Sequence, residues 1–277
     1  MYSLGQDMIF AFANGPGSGN PSYVVATAGE RQDLTESGLA IAAQRHCEVT
    51  HVHFGATAGQ ADVRFFTESG TIALCGHGML AAAAWAARAG RAEQRLTLDH
   101  GSGSIALTMS EGGRYVGYDE QAGPTAAVEI TPPLLNAIRL ALGLHRLRND
   151  DVCLWTGGNL RSKALLRLAS PSLLSGLRLD PEARDRFCQQ LQVTGIYPYV
   201  DMAAGRIRAR HFPLYGGLNE DMATGNIAAT VARHVLAGTG NSLAIEQGGA
   251  ACNAASLLVE ATADAWRVSG ACRFAAA

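Results

Sequence analysis

Two stretches rich in small apolar residues stand out along the chain, and each begins with a glycine-containing turn. The first, Leu74–Gly90, reads LCGHGMLAAAAWAARAG, and the second, Met222–Gly238, reads MATGNIAATVARHVLAG. Alanine has the highest helix propensity of all residues, and glycine is common just after a helix ends. The pattern predicts two helices whose small side chains let other layers pack closely around them.

Other apolar segments predict strands and further helices. EVTHVHF, residues 48–54, alternates as a half-buried strand does, and ADVRFFT, residues 61–67, is its expected partner. Apolar residues recur at helical spacing within residues 34–47, and the prolines of residues 130–144 favour a helix start. Each half of the chain therefore contains strands, a helix, more strands and an alanine-rich helix.

This order predicts an α+β fold of two pseudo-symmetric domains, each a curled, barrel-like, mostly antiparallel sheet around a central helix. We place the boundary near Gly123, giving domains of residues 1–123 and 124–277, with the C-terminal tail available to pack back on the first domain. The N–H groups at a helix start, with the helix dipole behind them, favour bound anions. We therefore expect both alanine-rich helices to point their first turns into one cleft between the domains.

Composition and charge narrow the choice of partners. The chain has 48% hydrophobic and 17% charged residues, and its formal net charge of −2 gives it no strongly basic surface. Without such a surface, we do not expect nucleic acid or an anionic membrane surface as a partner. No apolar run reaches the ~18–20 residues that span a bilayer, so we expect no membrane-spanning segment either. The first residues lack a basic start and a long apolar core, so we expect no signal peptide, and the six cysteines lack metal-ligand spacing. We expect a cytoplasmic protein with reduced thiols.

Lysine is almost absent from the chain. Of the 22 lysine and arginine residues only Lys163 is a lysine, so any lysine-based chemistry depends on one residue. It ends the segment WTGGNLRSK, from which Arg161 or Lys163 could reach a substrate carboxylate. The alternative is that this segment is a solvated loop.

Several ordered motifs together resemble one family, the PhzF-like isomerases of phenazine biosynthesis, which share their fold with diaminopimelate epimerase and proline racemase. The resemblance runs nearly end to end. It is carried by GSGNPSYVV, IAAQRHCEVTHV, VRFFTESGTIALCGHGMLAAAA, LRLDPEARDRFCQQLQVTGIYPY and ARHFPLYGGLNEDMATGNIAA, of which the last is the most specific.

Carried over residue by residue, the resemblance implies that Glu48 is the catalytic acid and base, with His77 and Asp221 as its polar companions. Gly76 and Gly225 would present backbone N–H groups at the two helix starts. The expected substrate-binding set is Asn20, Cys75, Gly76, Gly78, Gly157, Gly158, Thr224, Gly225 and Asn226. A carboxyl group in a closed apolar cleft has a raised pKa, and a single base can move a proton between two carbons on one face.

The resemblance implies cofactor-independent isomerisation that moves a proton and double bond within a small unsaturated amino or hydroxy acid. We expect a small-molecule carboxylate substrate, a secondary biosynthetic pathway of the antibiotic kind, no metal or other cofactor, and a homodimer. Two alternatives stay open: an amino-acid epimerase or racemase, and a catalytically silent PhzF-like protein that binds a small molecule. The joint presence of Glu48, His77 and Asp221 argues against the silent protein.

Cys75 bears on the racemase alternative, because CGHG also resembles the first catalytic thiol of proline racemases. That mechanism needs a second thiol at the start of the other alanine-rich helix. The residues there are Met222 and Ala223, so we do not expect a two-thiol racemase.

Other residues depart from the family pattern. They include Gly78, where proline or alanine is usual, and Asn226, where serine is usual. Thr71 replaces an acidic residue, and CNAA at residues 252–255 lacks the usual arginine. These changes predict a substrate different from that of the phenazine enzyme.

Overall fold

The computed structural model describes residues 2–30, 33–159, 161–203, 205–214, 219–249 and 254–275. Contacts within the chain define two compact units. The first comprises Met1–Asp119 and Arg267–Ala277, and the second comprises Glu120–Trp266. The first unit thus ends shortly before the boundary expected at residue 123, and it includes the C-terminal strand.

The first unit is built from nine strands and two helices among the described residues. Its strands are β1 Tyr2–Ala11, β2 Asn20–Ala28, β3 Glu48–Phe54, β4 Gln60–Thr67, β5 Gly70–Ile72, β6 Arg95–Asp99, β7 Ser104–Ser110, β8 Tyr115–Glu120 and the last strand of the chain, β17 Trp266–Phe274. Its helices are α1 Thr35–Arg45 and α2 Gly76–Arg88, and a short 3-10 turn spans Glu111–Gly113.

Eight of these strands form a closed barrel. The pairs run from β1 through β2, β3, β4, β6, β7, β8 and β17 and return to β1. The β2–β3 and β4–β6 pairs are parallel, whereas β1–β2, β3–β4, β6–β7, β7–β8 and β1–β17 are antiparallel. The remaining strand, β5, pairs with β4.

Helix α2 fills this barrel. It contacts β1, β2, β3, β6 and β7, and Ala81, Ala82, Ala83 and Ala84 are fully buried. Side chains of this size let strands approach the helix from several sides, so the alanine run is a packing requirement. The predicted helix within Leu74–Gly90 is confirmed.

The second unit has eight strands and four helices among the described residues. The strands are β9 Thr125–Val128, β10 Val152–Gly157, β11 Lys163–Leu168, β12 Gly195–Met202, β13 Arg206–Ala209, β14 Phe212–Pro213, β15 Ser242–Gln247 and β16 Ala255–Ala261. The helices are α3 Pro132–Leu142, α4 Pro171–Ser175, α5 Pro181–Leu191 and α6 Gly225–Leu236, and a 3-10 turn spans Asn149–Asp151.

Its pairs run from β9 through β10, β11, β12, β13 and β15 to β16, with β14 added beside β12. The β11–β12 and β13–β15 pairs are parallel and the others are antiparallel. Helices α3, α4 and α5 share one hydrophobic core with alternate residues of β11 and β12. The second alanine-rich helix, α6, contacts β15 and β16 instead and is likewise mostly buried.

None of the helices in these described ranges is both long and apolar enough to cross a membrane.

Candidate active site

Glu48 is placed by the turn that joins α1 to β3. After α1, His46 adopts a left-handed conformation with φ of 50°, and the chain enters β3 with Glu48 as its first residue. The Glu48 side chain is 10% exposed. A carboxyl group thus lies almost buried at the end of a barrel strand.

His77 lies in the first turn of α2, directly beside Glu48. Its Nε2 is 3.4 Å from Oε1 of Glu48, and its Nδ1 is 3.3 Å from Nδ2 of Asn20, the first residue of β2. Cys75 caps the helix, since its Sγ accepts a hydrogen bond from the Gly78 N–H at 3.3 Å and lies 3.2 Å from Nδ1 of His77. The first unit therefore brings together the predicted residues Asn20, Glu48, Cys75, His77 and Gly78.

Gly78 leaves no room for a side chain. A Cβ atom at this position would lie 2.8 Å from Oε1 of Glu48 and 2.5 Å from Oγ1 of Thr50. Thr50 is itself fully buried and held at 2.7 Å by the hydroxyl of Ser22. The glycine that departs from the family pattern is thus explained by the close approach of the Glu48 carboxyl group to the helix.

The same cluster offers three donor atoms that could hold a metal ion. One ligand atom each from Glu48, Cys75 and His77 lies within 4.8 Å of the others. A carboxylate oxygen, a thiolate sulfur and an imidazole nitrogen are all zinc ligands. Sequence spacing did not indicate this set, because the donors come from β3 and from the start of α2. The expectation of an enzyme without metal stays a prediction.

In the second unit, Asp221 belongs to a buried hydrogen-bond network before α6. Its Oδ2 accepts from the Thr224 hydroxyl at 2.7 Å, and Nε2 of Gln247 donates to its backbone oxygen at 2.8 Å. Gln247 Nε2 also donates to the Thr224 hydroxyl, and its Oε1 accepts from the Tyr197 hydroxyl at 3.1 Å. The orientation of the Asp221 side chain is therefore fixed by several buried partners.

His211 joins this network through Nδ1. This atom lies 2.8 Å from the Thr224 hydroxyl oxygen and 3.3 Å from Oδ2 of Asp221. Because the single hydroxyl proton of Thr224 goes to Asp221, the His211 Nδ1–H donates to Thr224. Complete burial of the ring lowers the pKa of His211, which keeps the imidazole neutral.

The two acidic residues of the NED motif have different surroundings. Glu220 accepts two hydrogen bonds from Arg210, at 2.9 Å and 2.7 Å, in a bidentate ion pair. The Arg210 guanidinium lies over the ring of Phe212. Glu220 therefore anchors the segment before α6, whereas Asp221 belongs to the polar network described above.

Four further predicted residues lie in the second unit. Gly225 is the buried first residue of α6, and the buried Oδ1 of Asn226 has no hydrogen-bond partner among the residues that the structure describes. Gly157 and Gly158 pack against neighbouring backbone: a Cβ on Gly157 would lie 2.6 Å from the oxygen of Pro124, and one on Gly158 would lie 2.4 Å from the oxygen of Arg161. Roles of these residues toward a substrate stay predictions. Cys252 and Asn253 of the CNAA segment lie outside the described residues.

Comparison with known proteins decides the family. The PhzC-PhzF family model, described as phenazine biosynthesis-like protein, matches residues 9–273. The chain belongs to this family. The identification made from the sequence motifs is therefore confirmed.

Relatives of this PhzF-like chain agree with the assignment. A protein of Deinococcus radiodurans described as an uncharacterised isomerase is 30% identical over 237 residues, which cover 79% of this chain and 71% of the relative. A PhzF-family crystal structure from Bacillus anthracis matches with a TM-score of 0.81 at 17% identity, covering 100% of this chain and 98% of that chain. A probable proline racemase from Agrobacterium radiobacter matches at 0.61 and 11% identity, covering 97% and 90%, which shows a shared fold.

Sequence reasoning missed His211, Gln247 and the burial of Lys163. His211 stands in ARHFP, ten residues before Asp221, and only the return of the chain to α6 brings them together. Of the two cations considered for a substrate carboxylate, Arg161 is exposed, as expected of a solvated loop, and Lys163 is buried. A lone lysine in a chain that otherwise uses arginine was the one available signal.

Proposed function

We propose that this PhzF-like chain is a cofactor-independent isomerase that moves a proton and a double bond within a small unsaturated amino or hydroxy acid. Glu48 carries the proton. The observation that supports this proposal most is the almost buried Glu48 carboxyl group, whose Oε1 lies 3.4 Å from Nε2 of His77 at the start of α2. The Deinococcus radiodurans relative described as an isomerase also supports it.

Glu48, His77 and the first turn of α2 have distinct roles in this reaction. The Glu48 carboxylate takes a proton from one carbon of the substrate, and the double bond shifts as the electron pair is delocalised. The same carboxyl group then returns the proton to a second carbon, so no oxidant or reductant is needed. His77 orients the carboxyl group, and the backbone N–H groups of the first turn of α2, including Gly76, stabilise developing negative charge.

We propose that the second unit supplies substrate-binding groups. Asp221 and Thr224, fixed by Gln247 and His211, offer polar atoms of defined orientation. Oδ1 of Asn226 is a buried acceptor that an N–H or O–H group of a substrate would satisfy. Asn226 also departs from the family pattern, which supports a substrate different from that of the phenazine enzyme.

We further propose that the two units are pseudo-symmetric domains whose alanine-rich helices have equivalent roles. In the first unit, β1–β2 is antiparallel, β2–β3 is parallel, β3–β4 is antiparallel, and β4–β6 is parallel with α2 between its strands along the chain. In the second unit, β10–β11, β11–β12, β12–β13 and β13–β15 repeat this order of directions, with α6 between β13 and β15.

A second candidate is an epimerase or racemase, for which Cys75 is the specific observation. Its Sγ lies 3.2 Å from Nδ1 of His77, an arrangement that could activate a thiol. Against this candidate, α6 is preceded by Met222-Ala223-Thr224, which contains no second cysteine. The fold shared with a probable proline racemase fits both candidates.

Turnover in D₂O across a panel of amino-acid-derived dienes and pyrrolines separates the candidates. An isomerase places deuterium on a second carbon and moves the double bond. An epimerase places deuterium on the carbon that lost the proton and inverts it without moving a double bond. A catalytically silent binding protein shows saturable binding and no deuterium incorporation.

A further inference from the structure

Lys163, the single lysine of the chain, is buried within the second unit. It is the first residue of β11 and is only 3% exposed. Its Nζ donates to the Thr194 hydroxyl at 2.7 Å and to the Thr194 backbone oxygen at 3.4 Å. Lysine is almost never fully buried unless its charge is paired, so this position needs an explanation.

The ammonium group lacks an anionic partner among the residues that the structure describes. Both acceptors come from Thr194 and are neutral, and no described carboxylate lies within 4.0 Å of Nζ. An ammonium group has three N–H donors, so one donor and the full positive charge remain for another partner. Burial of a charge without a counter-charge is costly, and here it lowers the pKa of Lys163 to about 8.

Lys163 lies on the side of the sheet that is opposite the helical core. The next residue, Ala164, packs into the hydrophobic core formed with α3, α4 and α5, and side chains alternate along a strand. The partner strand β12 begins at Gly195, where a Cβ atom would lie 2.7 Å from Nε2 of His211. The start of β11 thus belongs to the same end of the unit as the network of His211 and Asp221.

Electrostatic effects connect Lys163 with that network. The negative charge of Asp221 opposes the lowering of the Lys163 pKa, and the positive charge of Lys163 contributes to the lowered pKa of His211. Among the described residues, the positive charge of the exposed Arg161 disfavours the protonated amine of Lys163. A carboxylate close to Nζ, in addition to that of Asp221, would therefore neutralise the positive charge of Lys163.

We propose that Lys163 is the anion-binding residue of the second unit and that its ammonium group pairs with the carboxylate of the substrate. This inference rests on the proposed function, because it names how the carboxylate of that substrate is held. A compact ammonium on a flexible stem suits a buried site with two neutral acceptors already in place. The carboxylate would accept the remaining N–H and neutralise the buried charge.

The single lysine makes the test direct. Protein labelled with ¹³C at the lysine ε carbon gives one lysine signal, whose shift against pH reports the amine pKa. Sorbate, a planar unsaturated carboxylate, is the probe, and sorbamide is the matched neutral compound. We expect sorbate to move the signal saturably and to raise the amine pKa by about one unit or more, whereas sorbamide leaves both unchanged.

The variant Lys163→Met removes the ammonium group and keeps an unbranched side chain that is one heavy atom shorter. We expect it to weaken sorbate binding at least about tenfold, as loss of a hydrogen bond to a charged group does, with sorbamide binding unchanged. Arg161→Met is the control, because it removes a neighbouring exposed cation and should change sorbate affinity far less. If Lys163→Met fails to fold, the titration of the unaltered chain decides alone.

Two results would overturn the proposal. One is sorbate binding that leaves the lysine signal unmoved, with equal affinity in Lys163→Met. The other is the lack of any response of the lysine signal to sorbate throughout the millimolar range. Both readouts are independent of turnover, so they separate a failure of Lys163 as an anion site from a failure of Glu48 as a proton shuttle.

Discussion

Oε1 of Glu48 lies 3.4 Å from Nε2 of His77, which joins the first residue of β3 to the first turn of the central helix α2. The contact depends on local features that the sequence encodes separately: a left-handed residue at the end of α1, a cysteine cap and a glycine at position 78. It gives a titratable carboxyl group a fixed orientation inside a barrel end.

Replacement of Gly78 by alanine should displace the Glu48 carboxyl group. The new Cβ would lie 2.8 Å from Oε1 of Glu48 and 2.5 Å from Oγ1 of Thr50. We expect kcat/KM to fall about 100-fold, as for a catalytic group misplaced by about 1 Å, and the free energy of unfolding to fall by about 1–3 kcal/mol. Gly55→Ala is the control, since a Cβ there meets nothing within 4 Å. Equal activity of the two variants would show that Glu48 tolerates displacement.

Replacement of Cys75 tests the racemase alternative. Cys75→Ser keeps a side chain that can cap α2 through the Gly78 N–H, whereas Cys75→Ala removes the cap. We expect both variants to retain most activity, and Cys75→Ala to lose about 1 kcal/mol of stability relative to Cys75→Ser. Kinetics and chemical denaturation measure the two effects. A drop in kcat by several orders of magnitude in folded protein would revive a thiol mechanism.

Metal removal and metal addition should have opposite effects. Proton transfer needs a Glu48 carboxyl group that is able to bind and release a proton, so dialysis against a chelator should leave activity intact. Added Zn²⁺ should inhibit, because Glu48, Cys75 and His77 offer ligand atoms within 4.8 Å of one another. Inhibition should weaken in Cys75→Ala. Loss of activity on chelation that a divalent ion restores would contradict this view.

Acid should destabilise the first unit through His51. Its Nε2 lies 2.8 Å from the buried hydroxyl of Thr27, and burial lowers the His51 pKa from 6.5 to about 4. Between these values the unfolded chain binds the proton and the folded chain does not, so stability falls as pH decreases. The loss from about pH 7 to about pH 5 is about 2 kcal/mol.

Denaturant unfolding at pH 7 and at pH 5 tests whether His51 causes this loss of stability. The variant is His51→Gln, and the control is His145→Gln at an exposed position. The acid-dependent loss should shrink in the first variant and persist in the control. An unchanged loss in His51→Gln would assign it to other groups.

The features that local sequence encodes were predicted well. A run of alanines after a glycine turn is a strong helix signal over a short span, so the bounds of α2, Gly76–Arg88, fall inside the predicted stretch. Glu48 and His77 were paired through the family resemblance, because periodicity alone does not say which strand end meets which helix start. The eight-strand closure depends on the pairing of β1 with β17 from the far end of the chain.

Features that depend on tertiary contacts were not predicted. The interaction of His211 with Asp221 depends on how the chain returns from β14 to α6, and no period in the sequence encodes it. The strand after WTGGN was predicted, but the burial of Lys163 at its start was not. Gly78 was taken as a mark of substrate specificity, whereas its contact with Glu48 gives a packing reason for glycine.

The most direct test of the central claim is turnover of Glu48→Gln in D₂O on the substrate found by the panel. Glutamine keeps the shape of the side chain and removes the base, so kcat should fall about 10⁴-fold or more, with little change in substrate affinity. His77→Asn and Asp221→Asn should lose less, since these residues orient and bind. We expect deuterium on the receiving carbon for the unaltered enzyme and none for Glu48→Gln. Normal deuterium transfer by Glu48→Gln together with an inactive His77→Asn would contradict it and make His77 the base.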